Sequence, residues 1–525
     1  MNVFNRVGFR VSAVLTLLLF SSCSQNEEQS KGESTQEQHI QEQVTEAITN
    51  DNSELQKIDD VVTMPPGLPQ LQACQNLTPP TLPEKWTASA LMQTFGEYDV
   101  VVGKFTYDES EQAYRFSLSF AGSSEFSDYL LTADNRLYAL QGSYEQPSSC
   151  RYSLMLQMDL PSSNIMTPAA QCVGEGPVNG VNRQWWKDTA NVGKGANWYW
   201  FTADNDRELF RMMPYKGVDN LGWAGKYAFT YFSEFSAQVE TNIGALKQLC
   251  GVSEFADIMA EDEVLDMATA LQQLLPPLDP IPTETEVSSF MPEVQQCTSS
   301  TQRPPQWPAS LQATTLLTAV NIDYSPFPSL VRYNSSVPGL RTDMYNPWPP
   351  TDETWDLYSA RLLQNTGYSA YFKDDVYQSC KQNLPGPPLA NWMTIDGCEC
   401  KASLPPGSSL NPTDENLLVM MCPLTPSSAN PENPQVFWTW YGEQSGAPQV
   451  FMQSDSSAGQ GTGLNLADYY SWEPNALIDP QIFTPPTACL DKIKDKVPPQ
   501  CHNCHLPINS EHKSDGNMQW HIPLE

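Results

Sequence analysis

A chain of 525 residues with 61 acidic and 28 basic residues carries a formal net charge of −33. That balance excludes a nucleic-acid-binding surface, which needs clustered Lys and Arg. Five histidines are present, none of them between Val61 and Gln500. Ser/His or Cys/His hydrolysis and a His-ligated metal site are therefore not expected in the body of the chain. A carboxylate pair could serve glycosidase chemistry, but among so many Asp and Glu residues no pair stands out, and no enzyme activity is expected.

The chain opens with Arg6 and Arg10 followed by the uncharged apolar run Val11 to Phe20. The run is too short to span a bilayer comfortably and reads as a cleaved signal peptide over residues 1–22. Phe20-Ser21-Ser22-Cys23 resembles the lipobox of bacterial lipoproteins, with Phe20 in the usual Leu position and Leu19 one place early. The resemblance implies acylation of Cys23 (palmitate among the chains), and Ser24 after it implies sorting to the outer membrane. The competing reading is an ordinary signal cleaved near Ser22. Residues 23–60, rich in Gln, Glu, Ser and Asn, read as a disordered acidic tether in which His39 is solvated and idle. Nothing after Phe20 is apolar for long enough to cross a membrane.

The remaining chain reads as mainly β: two tandem antiparallel β domains, each a curved sheet or open barrel, over residues 61–252 and 296–490. Aromatic and β-branched residues gather in short runs between Pro, Gly, Asn and Ser clusters. Tyr114 to Phe120, Arg136 to Leu140 and Tyr152 to Leu160 alternate like half-buried strands. Glu254 to Leu275 has a helical pattern, capped by Ser253 and stopped by Pro276-Pro277, so residues 253–295 read as a helical, Pro-rich connector. On either side of it the landmarks repeat. Cys74, Pro79-Pro80 and Trp86 match Cys297, Pro304-Pro305 and Trp307; Asn197–Thr202 matches Val436–Tyr441; Glu208–Met213 matches Pro448–Gln453; and Tyr227 to Phe235 matches Tyr469 to Trp472. Each half closes on a cysteine, Cys250 or Cys489.

The cysteines fit an exported protein with disulfides. Cys74, Cys150, Cys172 and Cys250 lie in the first half; Cys297, Cys380, Cys398, Cys400, Cys422 and Cys489 lie in the second. Joining Cys74 to Cys250 and Cys297 to Cys489 would clip the ends of each domain together. Cys398-Glu399-Cys400 reads as structural disulfide partners rather than a redox or metal motif. Gly459 to Gly463 follows no strand and reads as a plain loop.

Ala476 to Cys489, with its Asp-Pro, Phe, Pro-Pro and final Cys, resembles the closing segment of ependymin-related proteins, and Phe437–Tyr441 with Val450–Met452 is similar to the paired strands before it. The resemblance implies a curved antiparallel sheet with a cavity for apolar ligands, similar to the outer-membrane lipoprotein-carrier fold. The plainer reading of Trp198, Trp200, Phe437, Trp438 and Trp440 is core and cross-strand packing.

Residues 491–525 form a tail holding Cys501-His502-Asn503-Cys504-His505, the attachment motif of c-type haem, in which His505 ligates iron and Met518, His512 or His521 supplies the other axial position. The chain runs on only to Glu525, short for a cytochrome domain, so a haem would lie against the preceding β domain or a partner. A Cys501–Cys504 disulfide and a zinc site stand as alternatives. Two functions follow. The first is a membrane-anchored, non-catalytic module binding a hydrophobic ligand or an extracellular protein partner; the second is an electron-transfer lipoprotein carrying haem c. Palmitate labelling in cells checks the anchor: label should enter the wild-type chain and be absent from Cys23→Ala.

Overall fold

The computed structural model describes residues 64–65, 67–93, 100–121, 126–156, 163–189, 196–204, 208–213, 229–237, 239, 241–251, 264–265, 294–319, 326–337, 339–346, 357–363, 366–373, 376–382, 398–423, 436–454 and 464–484. They form two antiparallel sheets. The first contains β1 (Lys85–Gln93), β2 (Val100–Asp108), β3 (Ala113–Phe120), β4 (Ser127–Thr132), β5 (Arg136–Gly142), β6 (Pro147–Leu156), β7 (Gln171–Val178), β8 (Val181–Asp188), β9 (Asn197–Thr202), β10 (Leu209–Met213) and β11 (Phe229–Ala237). A two-residue strand, β12 (Val264–Leu265), runs parallel to β6 at its edge. The second sheet contains β13 (Ser310–Ala319), β14 (Phe327–Asn334), β15 (Gly339–Tyr345), β16 (Leu357–Leu363), β17 (Thr366–Lys373), β18 (Val376–Gln382), β19 (Glu399–Leu404), β20 (Leu417–Pro423), β21 (Val436–Gly442), β22 (Pro448–Ser454) and β23 (Leu464–Pro474).

The strand orders are β12-β6-β5-β4-β3-β2-β1-β11-β10-β9-β8-β7 and β18-β17-β16-β15-β14-β13-β23-β22-β21-β20-β19. Without β12 they are the same path. Each repeat is two meanders, and the last strand returns to pair with the first. Local chemistry sets the turns: Asn179 and Gly180, at φ 51° and 74°, make the two-residue link between β7 and β8, where a primed turn matches the right-handed strand twist. The helical pattern over Glu254–Leu275 is overridden where it is described, because Val264–Leu265 is strand. The open edge of β6 offers backbone partners that outweigh local periodicity.

The repeat extends to side chains. Gln72 bridges to Glu175 in β7, and Gln295 bridges to Ser403 in β19. Two residues after each bridge residue stands the cysteine of a disulfide, Cys74–Cys172 or Cys297–Cys400, and next to its partner both strands carry a register shift, Cys172/Gly174 and Cys400/Ala402. Trp86 packs on Tyr107 and Phe235, and Trp307 packs on Tyr333 and Trp472. Ser110 donates its backbone N–H (3.1 Å) and hydroxyl (2.6 Å) to Asp108, as Ser336 does to Asn334 (3.0 and 2.6 Å).

The expected Cys74–Cys250 link is not made. Cys74 pairs with Cys172 on β7 and Cys150 on β6 pairs with Cys250, because β6 and β7 lie at opposite sides of the sheet. Likewise Cys297 pairs with Cys400, which removes it from the expected link to Cys489. Cys489 lies outside the described residues. Cys398 joins Cys422.

Each repeat is clasped by a buried arginine two residues into the third strand. Arg115 in β3 forms a bidentate pair with Asp128 (3.0 and 2.6 Å) and donates to Asn242, the residue before helix α1 (Ile243–Leu249). Arg341 in β15 donates to Asp343 (2.8 Å) and to the carbonyl of Ile482 in the 3₁₀ turn Pro480–Phe483, while Arg361 donates to the carbonyl of Thr484. Helix α1 thereby covers Ala113, Leu130, Tyr138 and Leu140.

The sheets meet through one shared core. Trp185, Trp198, Trp200, Phe210, Met213 and Tyr231 of the first join Val419, Met421, Trp438, Trp440, Val450, Met452 and Leu466 of the second. At its centre Arg211 in β10 holds Asp468 in β23 by two hydrogen bonds of 2.8 and 2.9 Å. Its guanidinium also stacks 4.1 Å from the Trp200 ring centre. In register, Arg211 lies between Trp200 and Tyr231 as Val450 lies between Trp440 and Asp468. Val450 is thus the counterpart of Arg211, and Asp468 that of Tyr231. The contacts obey the same relation: Arg211 meets Asp468, and Tyr231 meets Trp440 (4.7 Å between ring centres) and the sulfur of Met452 beside Val450 (3.9 Å). The repeats therefore pack as a pseudo-twofold dimer within one chain.

Two expectations follow. Arg211→Val alone leaves Asp468 buried without its partner and should destabilise the protein by about 3–5 kcal/mol. Arg211→Val with Asp468→Tyr, which writes each position as its counterpart, should recover most of that loss in denaturant titrations. The second concerns Asp108. Burial pushes its carboxyl up, but hydrogen bonds from Ser110, Thr241, Lys85 and the Glu111 backbone outweigh this and leave it at about 2. A carboxyl held below its unfolded value of about 3.9 stabilises the fold above that pH, by about 2.6 kcal/mol, and the contribution vanishes as pH falls towards 2. The stability difference between wild type and Asp108→Asn, the residue at the matching position 334, should be full at pH 6 and close by pH 2.

Candidate functional site

Along each strand alternate side chains point to opposite faces, so the face of the first sheet turned away from the second is read directly. It carries Trp86, Ala88, Ala90 and Met92 on β1, Phe105 and Tyr107 on β2, and Tyr114, Phe116 and Leu118 on β3. Tyr129 and Leu131 on β4, Trp186 on β8, and Tyr199 and Phe201 on β9 belong to the same buried cluster. Ring centres step across it at 6.3 Å from Phe105 to Tyr114, 5.7 Å to Phe116 and 5.4 Å to Tyr129. No second sheet and no helix lies over this face among the described residues; only Leu82, Ile165, Met166 and Ala170 join it from connecting segments. The buried groups of this inner face are packed on one another and on those four residues.

The inner face is mostly apolar, and its polar groups include two carboxylates. Glu175, 5 % exposed, accepts from the Gln184 amide (3.1 Å), whose oxygen accepts from the Trp186 indole (3.2 Å). Gln184 shares a strand face with Trp186 and is the register partner of Glu175, so all three face inward. Asp188, two residues further on, accepts from the backbone N–H (2.7 Å) and hydroxyl (2.9 Å) of Thr167. The described inner-face positions include a cation, Arg151 on β6, exposed and in register with Ala139; the buried arginines Arg115, Arg183 and Arg211 all lie on the outer or inter-sheet side. Arg183 stacks 3.5 Å from the centre of the Phe210 ring, and burial and then Arg211 lower it to about 9.

The second sheet has a smaller inner cluster of Leu317, Phe327, Met344, Leu418, Met420 and Phe451 with Tyr441. Burial raises the Tyr441 and Tyr469 hydroxyls above their ordinary range. Cys398, Cys400 and Cys422 sit within it as disulfide partners, in keeping with the structural reading of Cys398-Glu399-Cys400.

Cys23, Cys501, Cys504, His505, Met518, His512 and His521 lie outside the described residues, and so does the fit of a haem or zinc ion to them. Among the described residues no group of three or more His, Cys, Asp or Glu is placed to hold a metal, and no described helix is long and apolar enough to cross a membrane. Trp198, Trp200, Trp438 and Trp440 are core, as the plainer reading holds, but of the contact between sheets rather than of an inner face. The inner lining of Phe105, Tyr114, Phe116 and Tyr129 and the Glu175–Gln184 pair were missed. Alternation over Tyr114 to Phe120 marks one buried face; nothing local says that it faces inward.

No protein-family model matches the chain, and no curated protein matches it. Among solved structures it is similar to an uncharacterized conserved protein from Thermus thermophilus, at 12 % identity over 35 % of this chain and 91 % of that one, TM-score 0.20. A LolA superfamily protein from Nitrosomonas europaea matches at 13 % identity over 36 % of this chain and 94 % of that one, TM-score 0.18. A DUF1329 family protein from Desulfovibrio piger matches at 10 % over 30 % and 88 %, TM-score 0.17. These are distant neighbours and assign no activity.

Proposed function

We propose that this chain is an exported, lipid-anchored binding module that holds an apolar ligand against the inner face of its first sheet and carries out no chemistry on it. The observation that supports the reading is that inner face: a continuous aromatic and aliphatic surface, from Trp86 to Phe201, inside an open sheet with no covering layer among the described residues. In this reading the open sheet curves around that face, as apolar, concave surfaces with a few placed polar groups are what small-molecule sites are made of. In this reading Cys23 ties the module to the outer membrane and residues 23–60 let it stand away from the bilayer.

Full-length protein taken from membranes, extracted with organic solvent and examined by mass spectrometry, should yield a non-covalent apolar molecule in stoichiometric amount. Emptied protein should take up a fluorescent apolar probe, and Phe116→Asp, which buries a charge in the lining, should weaken uptake about tenfold or more while thermal unfolding reports whether the fold survives. If nothing is extracted and no probe is taken up by folded wild type, the reading fails.

A second reading rests on Cys501-His502-Asn503-Cys504-His505: an electron-transfer lipoprotein with haem c. Expression in a host that matures c-type cytochromes, followed by a denaturing haem stain, separates the two. A covalent haem lost in Cys504→Ala supports electron transfer.

A further inference from the structure

The inner face of the first sheet contains one group that packing does not account for. Glu175 is more than nine-tenths buried. Gln184 donates to its Oε2, while among the described residues Oε1 receives no hydrogen bond and the carboxylate forms no ion pair. Oε1 is not among the fully buried side-chain atoms that lack a partner, so it stays reachable from outside, and a carboxylate holding one donor on an apolar wall retains acceptor capacity for another.

The second repeat shows that the fold does not need it. Register places Ser403 where Glu175 stands, since each forms the isolated bridge to its strap, and Leu418 where Gln184 stands, since each lies two residues before the next inward side chain, Met420 or Trp186. The same pair of strands, with the same strap and disulfide, thus closes on Ser and Leu. A buried Glu–Gln pair in one repeat alone is not a requirement of the architecture.

Resting on the apolar-ligand reading above, we propose that Glu175 is the anchor for the ligand's polar end, and that the ligand is an apolar chain bearing a primary ammonium group. The three hydrogens of an ammonium supply the donor that Oε1 lacks, and a charge-assisted hydrogen bond in a low-dielectric wall is among the strongest a site can form. Gln184 orients the carboxylate, and Trp186 orients Gln184 through its amide oxygen. Asp188 adds a second negative charge on the same strand face. Carboxylate or phosphate ends are disfavoured at this position, where Glu175 and Asp188 present like charges, while the inner-face cation Arg151 stands on β6 at the other end of the strand order from β7.

The test uses folded full-length protein, emptied of ligand, and decyl chains below their critical micelle concentrations: decylamine, decanol and decanoate, read by intrinsic tryptophan fluorescence. The net charge of −33 attracts any cation, so binding is measured at 0.5 M salt, roughly, where exposed charges are screened. Decylamine should bind about tenfold tighter than decanol and decanoate, which corresponds to one charge-assisted hydrogen bond. That advantage should vanish in Glu175→Gln and in Glu175→Ser, the residue the second repeat already carries, bringing decylamine to the level of decanol in the same variant. Equal binding of the three chains, or an amine preference that survives both substitutions, overturns the assignment of Glu175 and leaves the apolar site standing. No binding of any chain overturns both.

Discussion

The ion pair between Arg211 and Asp468 determines how the two halves of this molecule sit. Both groups are buried at the centre of the shared core. Burial alone would push Arg211 down, and Asp468 beside it holds it well above its usual value. A guanidinium fork and a carboxylate can satisfy each other in only a narrow range of geometries. An apolar contact between two sheets is tolerant of sliding; this pair is not, and so it sets register between the sheets where Trp200, Trp440 and Tyr231 supply area.

The pair is also where the repeats differ most usefully. Their counterparts, Val450 and Tyr231, belong to the same shared core without charge. A symmetric arrangement would place like residues opposite one another at both positions; divergence let one half take Arg and the other Asp. The face of each sheet spent on this contact is the one carrying the tryptophan-rich strands β9 and β21. Of the two opposite faces, that of the first sheet carries the more extended aromatic surface among the described residues, with Glu175 and Asp188 on it.

The closing segments solve a different problem by similar means. After eleven strands the chain must end against the outer face of the first meander, where backbone carbonyls and N–H groups would be buried. Arg115 in one repeat donates to the Asn242 side chain, and Arg341 with Arg361 in the other donate to the carbonyls of Ile482 and Thr484, each arginine being held in turn by an aspartate or a serine.

The sequence by itself determined the β class, the duplication and most strand positions, because alternation of side chains and turn-forming residues are local properties. Asn197–Thr202, Val436–Tyr441 and Pro448–Gln453 are strands in the structure, and Trp86 and Trp307 do occupy matching places. Tertiary structure decided the rest. Disulfide partners depend on which strands are edges, a fact set by β11 returning to β1, and this is why Cys74 meets Cys172 instead of Cys250. Val264–Leu265 became strand because an edge was available to pair with. Which face of an alternating strand looks inward and which meets the other sheet is invisible in a period of two, since both faces are apolar here. The significance of Glu175 needed both the fold and its second copy: in sequence it is one of 61 acidic residues, and only the position of Ser403 shows that the fold closes without it.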